Sequence, residues 1–70
     1  MTSRSIHVNG ELRETQAATL VQLLRQLELG ETIAGVAVAV NGTIVPRGDW
    51  AGHTLRNGDR VEVVGAVQGG

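Results

Sequence analysis

Apolar and polar residues alternate over residues 4–8 (RSIHV), which puts Ile6 and Val8 on one side of an extended segment and His7 on the other. Asn9-Gly10 then supplies the two positive-φ positions that a two-residue hairpin requires, and ELRET continues as the return strand. From Thr19 the period changes. Leu20, Leu23, Leu24 and Leu27 are spaced i, i+3, i+4, i+7, a single apolar stripe on a helix, with Val21 beside it. Thr19 and Gln22 form a T-x-x-Q capping box, and Gly30 stands where a left-handed C-terminal cap belongs, so the pattern predicts a helix over about 20–28.

The period returns to two in Val36-Ala37-Val38-Ala39-Val40, with valines on one face and alanines on the other. Both faces are apolar, which fits an interior strand with the helix packed on the valine side. Asn41-Gly42 repeats the hairpin signal, Thr43-Ile44-Val45 returns, and Pro46, which has no N–H for a ladder, ends the strand. Residues 47–59 are turn-rich, with Trp50 and Leu55 as expected core anchors and Asn57-Gly58-Asp59 as a third turn. In the last strand, Val61 and Val63 alternate with Glu62 and Val64 before the chain runs through Gly65 into AVQGG. The order is ββαβββ. A one-striped helix must bury that stripe, and the sheet is the partner available. Setting the first and last strands side by side and parallel, joined through the helix, gives an α+β fold: a β-grasp, ubiquitin-like roll with a mixed sheet of about five strands. The expected organisation is a single domain over 1–65 and a flexible tail over 66–70.

Composition narrows the chemistry. A chain of 70 residues supports a net core stability of only about 3–5 kcal/mol, and one sheet and one helix cannot wall a catalytic chamber of the usual size. An enzyme acting alone is not expected. Six basic residues, all arginine, and seven acidic ones are scattered, giving a formal charge of −1, and Trp50 is the single aromatic residue. Nucleic-acid binding needs a basic stripe and usually stacking aromatics, so it is set aside. Without cysteine there is no disulfide, thiolate nucleophile or ordinary zinc site. His7 and His53 lack spaced carboxylate partners, so no metal is expected and His7 reads as a solvated surface residue. The N-terminus lacks the apolar core of a signal peptide, and the longest apolar run, Val36 to Val40, is far too short to span a membrane, so the chain reads as cytoplasmic. Gly30 and Gly35 have P-loop spacing but are followed by Val36 and Ala37 where Lys and Ser or Thr must stand. No residues are placed for a nucleophilic triad.

The Gly69-Gly70 end remains. A terminal carboxylate is a chemical handle, and two residues without Cβ atoms let it enter a narrow channel. It is a poor acyl donor until a nucleotide activates it, and this chain has no phosphate cradle, so activation falls to a partner that consumes ATP. The absence of lysine would spare an activated terminus from attack by side-chain amines, and a general bias toward arginine gives the same composition.

The segments VAVAVNGTIVPRGDW and LRNGDRVEVVGAVQGG resemble the thiamin-biosynthesis sulfur carrier family, ThiS, and the similarity covers almost the full chain. The resemblance implies a carrier with no bound cofactor. A ThiF-like adenylating enzyme activates the Gly70 carboxylate with ATP. Sulfur from a cysteine desulfurase route replaces AMP to give a thiocarboxylate, and a ThiG-like thiazole synthase takes that sulfur into the thiazole ring. Gly70 then carries the sulfur and Gly69 gives clearance. Ala66, Val67 and Gln68 form a docking stem, with Val64 and Arg60 as the adjoining contact surface. Gln68 stands where some members have a third glycine, and Asn57 where Asp is common. The alternatives are a carrier like the small subunit of molybdopterin synthase, whose members usually carry prolines before the terminal glycines and are commonly longer, a ubiquitin-like modifier joined to lysines, and a non-catalytic ubiquitin-like interaction module.

Overall fold

A computed structural model of the chain describes residues 3–27 and 35–65. Five strands and one α-helix follow the predicted order: β1 (Arg4–Val8), β2 (Glu11–Thr15), α1 (Leu20–Gln26), β3 (Val36–Val40), β4 (Thr43–Ile44) and β5 (Arg60–Gly65), with a 3₁₀ helix over Arg47–Gly52. The strands form one mixed sheet in the order β2-β1-β5-β3-β4. The first and last strands are neighbours and parallel, His7 opposite Arg60 and Val8 opposite Val61. β3 runs antiparallel to β5 along its whole length, from Val36 opposite Gly65 to Val40 opposite Val61. This is the β-grasp roll, with the last strand at its centre.

The two hairpins close as the Asn-Gly pairs predict: Asn9 and Gly10 have φ of 52° and 86°, Asn41 and Gly42 have 52° and 84°. The third turn differs. Asp59 N–H donates to the Arg56 carbonyl at 3.0 Å, and only Gly58, at φ 91°, is left-handed, so this turn launches β5 rather than closing a hairpin.

Helix α1 begins at Thr19, whose side chain accepts the Gln22 N–H at 3.4 Å. The reciprocal arm of the capping box is displaced by one residue: Gln22 Oε1 accepts from Ala18 N–H at 2.7 Å. The helix entrance is fixed from elsewhere, because Thr19 bridges Thr54: Leu20 N–H donates to the His53 carbonyl and Leu55 N–H to the Ala18 carbonyl, each at 2.9 Å. The helix is capped at Leu27. The expected end at residue 28 and the Gly30 cap lie outside the described residues.

Ile6, Leu20, Leu23, Leu24, Val38, Leu55 and Val61 are almost fully buried and join the stripe of α1 to one face of the sheet. Trp50 seals one end, its indole N–H donating to the Val45 carbonyl at 2.9 Å. Val45 N–H still reaches the Val38 carbonyl beyond the last residue of β4, and Pro46 then turns the chain into the 3₁₀ helix. The valine side of β3 is the core side, as its pattern predicts. The alanine side is not covered by any described element: Ala37 is exposed and Ala39 half-buried.

Candidate docking face and exit strand

Register determines what the uncovered face of the sheet presents. Residues directly opposite one another on paired strands share a face, so Val64 of β5 lies beside Ala37, Glu62 beside Ala39, and Ala39 in turn beside Ile44 of β4. On the other flank Arg60 lies beside His7, and His7 beside Leu12 of β2. Among the described residues the exposed large hydrophobics are Leu12, Ile44 and Val64, at 65%, 66% and 62% of their free surface, and all three stand on this face. Val64, Ala37, Ala39 and Ile44 form an apolar strip running from β5 to the short edge strand, bordered by Arg60 and Glu62. A monomeric sheet with one face in water normally carries polar residues there, and an apolar strip inside a polar rim is the makeup of an interaction surface.

Of the contact residues expected from sequence, Val64 and Arg60 both lie on this face. Gly70, Gly69, Ala66, Val67 and Gln68 lie outside the described residues. The structure does place their point of attachment: they follow Gly65, the last residue of the central strand. The depressions flanking Arg60 are open, one bordered by Asn41, Gly42 and Glu62, the other by His7, Gly10, Val61 and Glu62. Neither encloses a reactant.

His7 points away from Ile6 and Val8, as its place in the alternation predicts, but it is less solvated than expected. Its ring is half-buried, and Nδ1 is shielded from water without a hydrogen-bond partner. Among the described residues no three potential metal ligands come together, and no helix is long and apolar enough to cross a membrane.

Sequence reasoning read the Asn-Gly pairs as turns and missed what their side chains do. Asn41 Oδ1 accepts the Arg60 N–H at 2.9 Å while its Nδ2 donates to Asp59 Oδ1 at 3.0 Å. Asn57 Oδ1 accepts the Ser5 N–H at 2.7 Å. Asn9 holds a single residue of β5 twice, accepting the Val63 N–H at 2.8 Å and donating to the Val63 carbonyl at 3.2 Å. At Asn9 and Asn41 the available signal is Asn rather than Asp or Gly, since only the amide both donates and accepts; Asn57 uses its acceptor alone. Ala37, Ala39, Ile44 and Leu12 were also missed as members of the face. Leu12 and Ile44 are detectable from the two-residue turns, whose register sets them opposite His7 and Ala39, on the side away from the core residues Val8 and Val40.

Known proteins are similar to this chain in sequence and fold. The ThiS family model matches residues 6–70, a span that includes the central strand, the open face and both final glycines. The sulfur carrier protein ThiS of Escherichia coli is 40% identical over 52 residues, covering 74% of this chain and 76% of that protein. The sulfur carrier protein ThiS of Thermus thermophilus is 38% identical over 65 residues, covering 93% of this chain and 98% of its relative. The crystal structure of the thiamine biosynthesis protein ThiS from Geobacter metallireducens superposes with a TM-score of 0.77 at 28% identity, over 94% of this chain and 99% of that one. With a family match over nearly its whole length and relatives of this similarity, the chain belongs to the ThiS family.

Proposed function

We propose that this chain is a sulfur carrier of thiamin biosynthesis and that the Gly70 carboxylate is the group that carries the sulfur. The observation behind this reading is the reach of the family match, which extends to residue 70 and takes in the Gly69-Gly70 pair. The names of the Escherichia coli and Thermus thermophilus relatives support it.

The chemistry follows from what a carboxylate needs. A Gly70 carboxylate oxygen attacks the α-phosphorus of ATP held by a ThiF-like enzyme, pyrophosphate leaves, and an acyl-adenylate forms. A persulfide from a cysteine desulfurase route then displaces AMP at the carbonyl carbon, and a thiol attacks the resulting acyl disulfide, releasing a thiocarboxylate for a ThiG-like thiazole synthase while the thiol is oxidised to a disulfide. The carrier is a protein substrate in this cycle, not an enzyme, and works in the cytoplasm where ATP and these partners meet. Its own residues dock and reach. Val64, Arg60 and the Ala37, Ala39 and Ile44 strip meet the partner, while Ala66, Val67 and Gln68 lead to Gly69 and Gly70, which lack the Cβ atoms that would block a narrow channel. Gly70 stands five residues beyond Gly65, and five extended residues span at most about 18 Å, so in this reading the Gly70 carboxylate reacts within that distance of the end of β5.

Intact-protein mass spectrometry after incubation with ATP, a sulfur donor and the activating enzyme tests this. The expected result is a mass increase matching exchange of one terminal oxygen for sulfur, abolished when Gly70 is removed. No adduct in the presence of active partners refutes the carrier reading.

A further inference from the structure

The two sides of β5 are held unequally. On the β3 side, strand pairing continues to the last residue, Gly65. On the β1 side it stops after Val61, because β1 ends at Val8 and the chain turns away at Asn9 with φ 52°. Asn9 N–H makes the last backbone bond on that side, to the Val61 carbonyl at 2.9 Å. Had β1 continued in register, the carbonyl of residue 9 and the N–H of residue 11 would meet the N–H and carbonyl of Val63. The Asn9 side chain supplies both groups instead, accepting from Val63 N–H and donating to Val63 C=O. A primary amide has one face of each kind, so it reproduces a backbone group that the turn has removed.

We propose that Asn9 is a positioning residue for the exit strand: its amide extends the sheet by one residue pair beyond the end of β1 and so fixes the direction in which the chain leaves toward Gly70. The proposal rests on the carrier reading for its functional half, since a direction of exit matters only if a partner takes up the end of the chain. The same position provides the left-handed turn, which Gly also adopts without strain. Asn9→Gly therefore removes the amide and keeps the hairpin. Asn9→Asp keeps an acceptor for Val63 N–H but loses the donor to its carbonyl. Asn57→Ala, which frees Ser5 N–H at the opposite end of the β1–β5 pair, serves as the control for a general loss of stability.

Two measurements on the full chain decide the matter: amide hydrogen exchange at Val63 and Gly65, and steady-state adenylation by the activating enzyme with the carrier as varied substrate. In Asn9→Gly, exchange at Val63 is expected to rise about five- to tenfold beyond any global change, in keeping with one exposed hydrogen-bonded pair. The KM for the carrier is expected to rise about three- to tenfold with kcat unchanged, because a misdirected exit lowers the fraction of carrier ready to dock. Asn57→Ala leaves KM at its wild-type value, and Asn9→Asp falls between wild type and Asn9→Gly in both readouts. Unchanged Val63 exchange in Asn9→Gly overturns the clamp. Faster exchange with an unchanged KM, an equal KM rise in Asn57→Ala, or any order other than wild type, Asp, Gly overturns the positioning role. If wild-type carrier is not adenylated at all, the carrier reading fails and the positioning role falls with it, while the exchange data still decide whether the clamp exists.

Discussion

Replacing Val64 with aspartate tests the docking face most sharply, because the side chain contributes little to the folded state and a calculable amount to any complex formed there. Val64 keeps 62% of its surface in water, and full burial of a valine is worth about 1.5–3 kcal/mol, so docking stands to gain about 1–2 kcal/mol from it. The aspartate loses that gain and adds a carboxylate desolvated without a partner, a further cost of about 1–3 kcal/mol. Together these predict at least about thirtyfold weaker binding to the activating enzyme. The fold is expected to lose no more than about 1 kcal/mol, the scale of β-propensity at an exposed strand position. Titration calorimetry with the partner, paired with urea unfolding of the free carrier, separates the two effects. Arg25→Glu, a charge reversal on the exposed side of the helix layer, is the control and should leave affinity within about twofold. If Val64→Asp binds within twofold of wild type while folded, the open face is not the docking surface and the argument from its apolar strip is wrong.

Two further predictions concern the scaffold. Trp50→Phe leaves the Val45 carbonyl without its indole donor in a buried setting, so urea unfolding should show a loss of about 1–3 kcal/mol, and an unchanged midpoint would mean that water takes over the bond. Gly58→Ala adds a Cβ that meets nothing within 4 Å, so its whole cost is the left-handed backbone at φ 91°, about 1–2 kcal/mol by the same assay; a neutral result would show that the turn into β5 relaxes.

Where local chemistry decides, the fold could be read from the sequence. Alternation in RSIHV and VAVAV, the stripe from Leu20 to Leu27 and the two hairpin Asn-Gly pairs each specify one conformation from neighbouring residues alone, and the pairing of first and last strands followed once the helix needed a sheet to cover. The departures from expectation arise where tertiary neighbours meet a local pattern. Gln22 misses the Thr19 N–H and takes that of Ala18, in a segment held by Thr54 and His53, more than thirty positions away. His7 is expected to be solvated and is half-buried, with Leu12 opposite it across the locally specified Asn9-Gly10 hairpin and Arg60 opposite it on β5, more than fifty positions away. The alanines of β3 were legible as apolar, but whether that second face is covered or presented depends on which other elements exist.

The same division governs the site. Val64 and Arg60 could be named because they are close in sequence to the final glycines, whereas Ile44, Ala37 and Ala39 join them only through the register of β5 on β3 and β3 on β4. Sequence proximity singles out residues near the final glycines; pairing shows which others share their face of the sheet. The asparagines sit between these cases. Each belongs to a turn that its own dipeptide predicts, yet each amide serves a residue far along the chain: Asn9 holds Val63, Asn41 holds Arg60 and Asn57 holds Ser5. Gly-Gly would satisfy the two hairpin turns equally well, so turn geometry does not account for asparagine there. What the Asn9 amide adds is a paired donor and acceptor directed at Val63 where the backbone partners of β1 run out, so that β5 is held on that side beyond the end of its shorter neighbour.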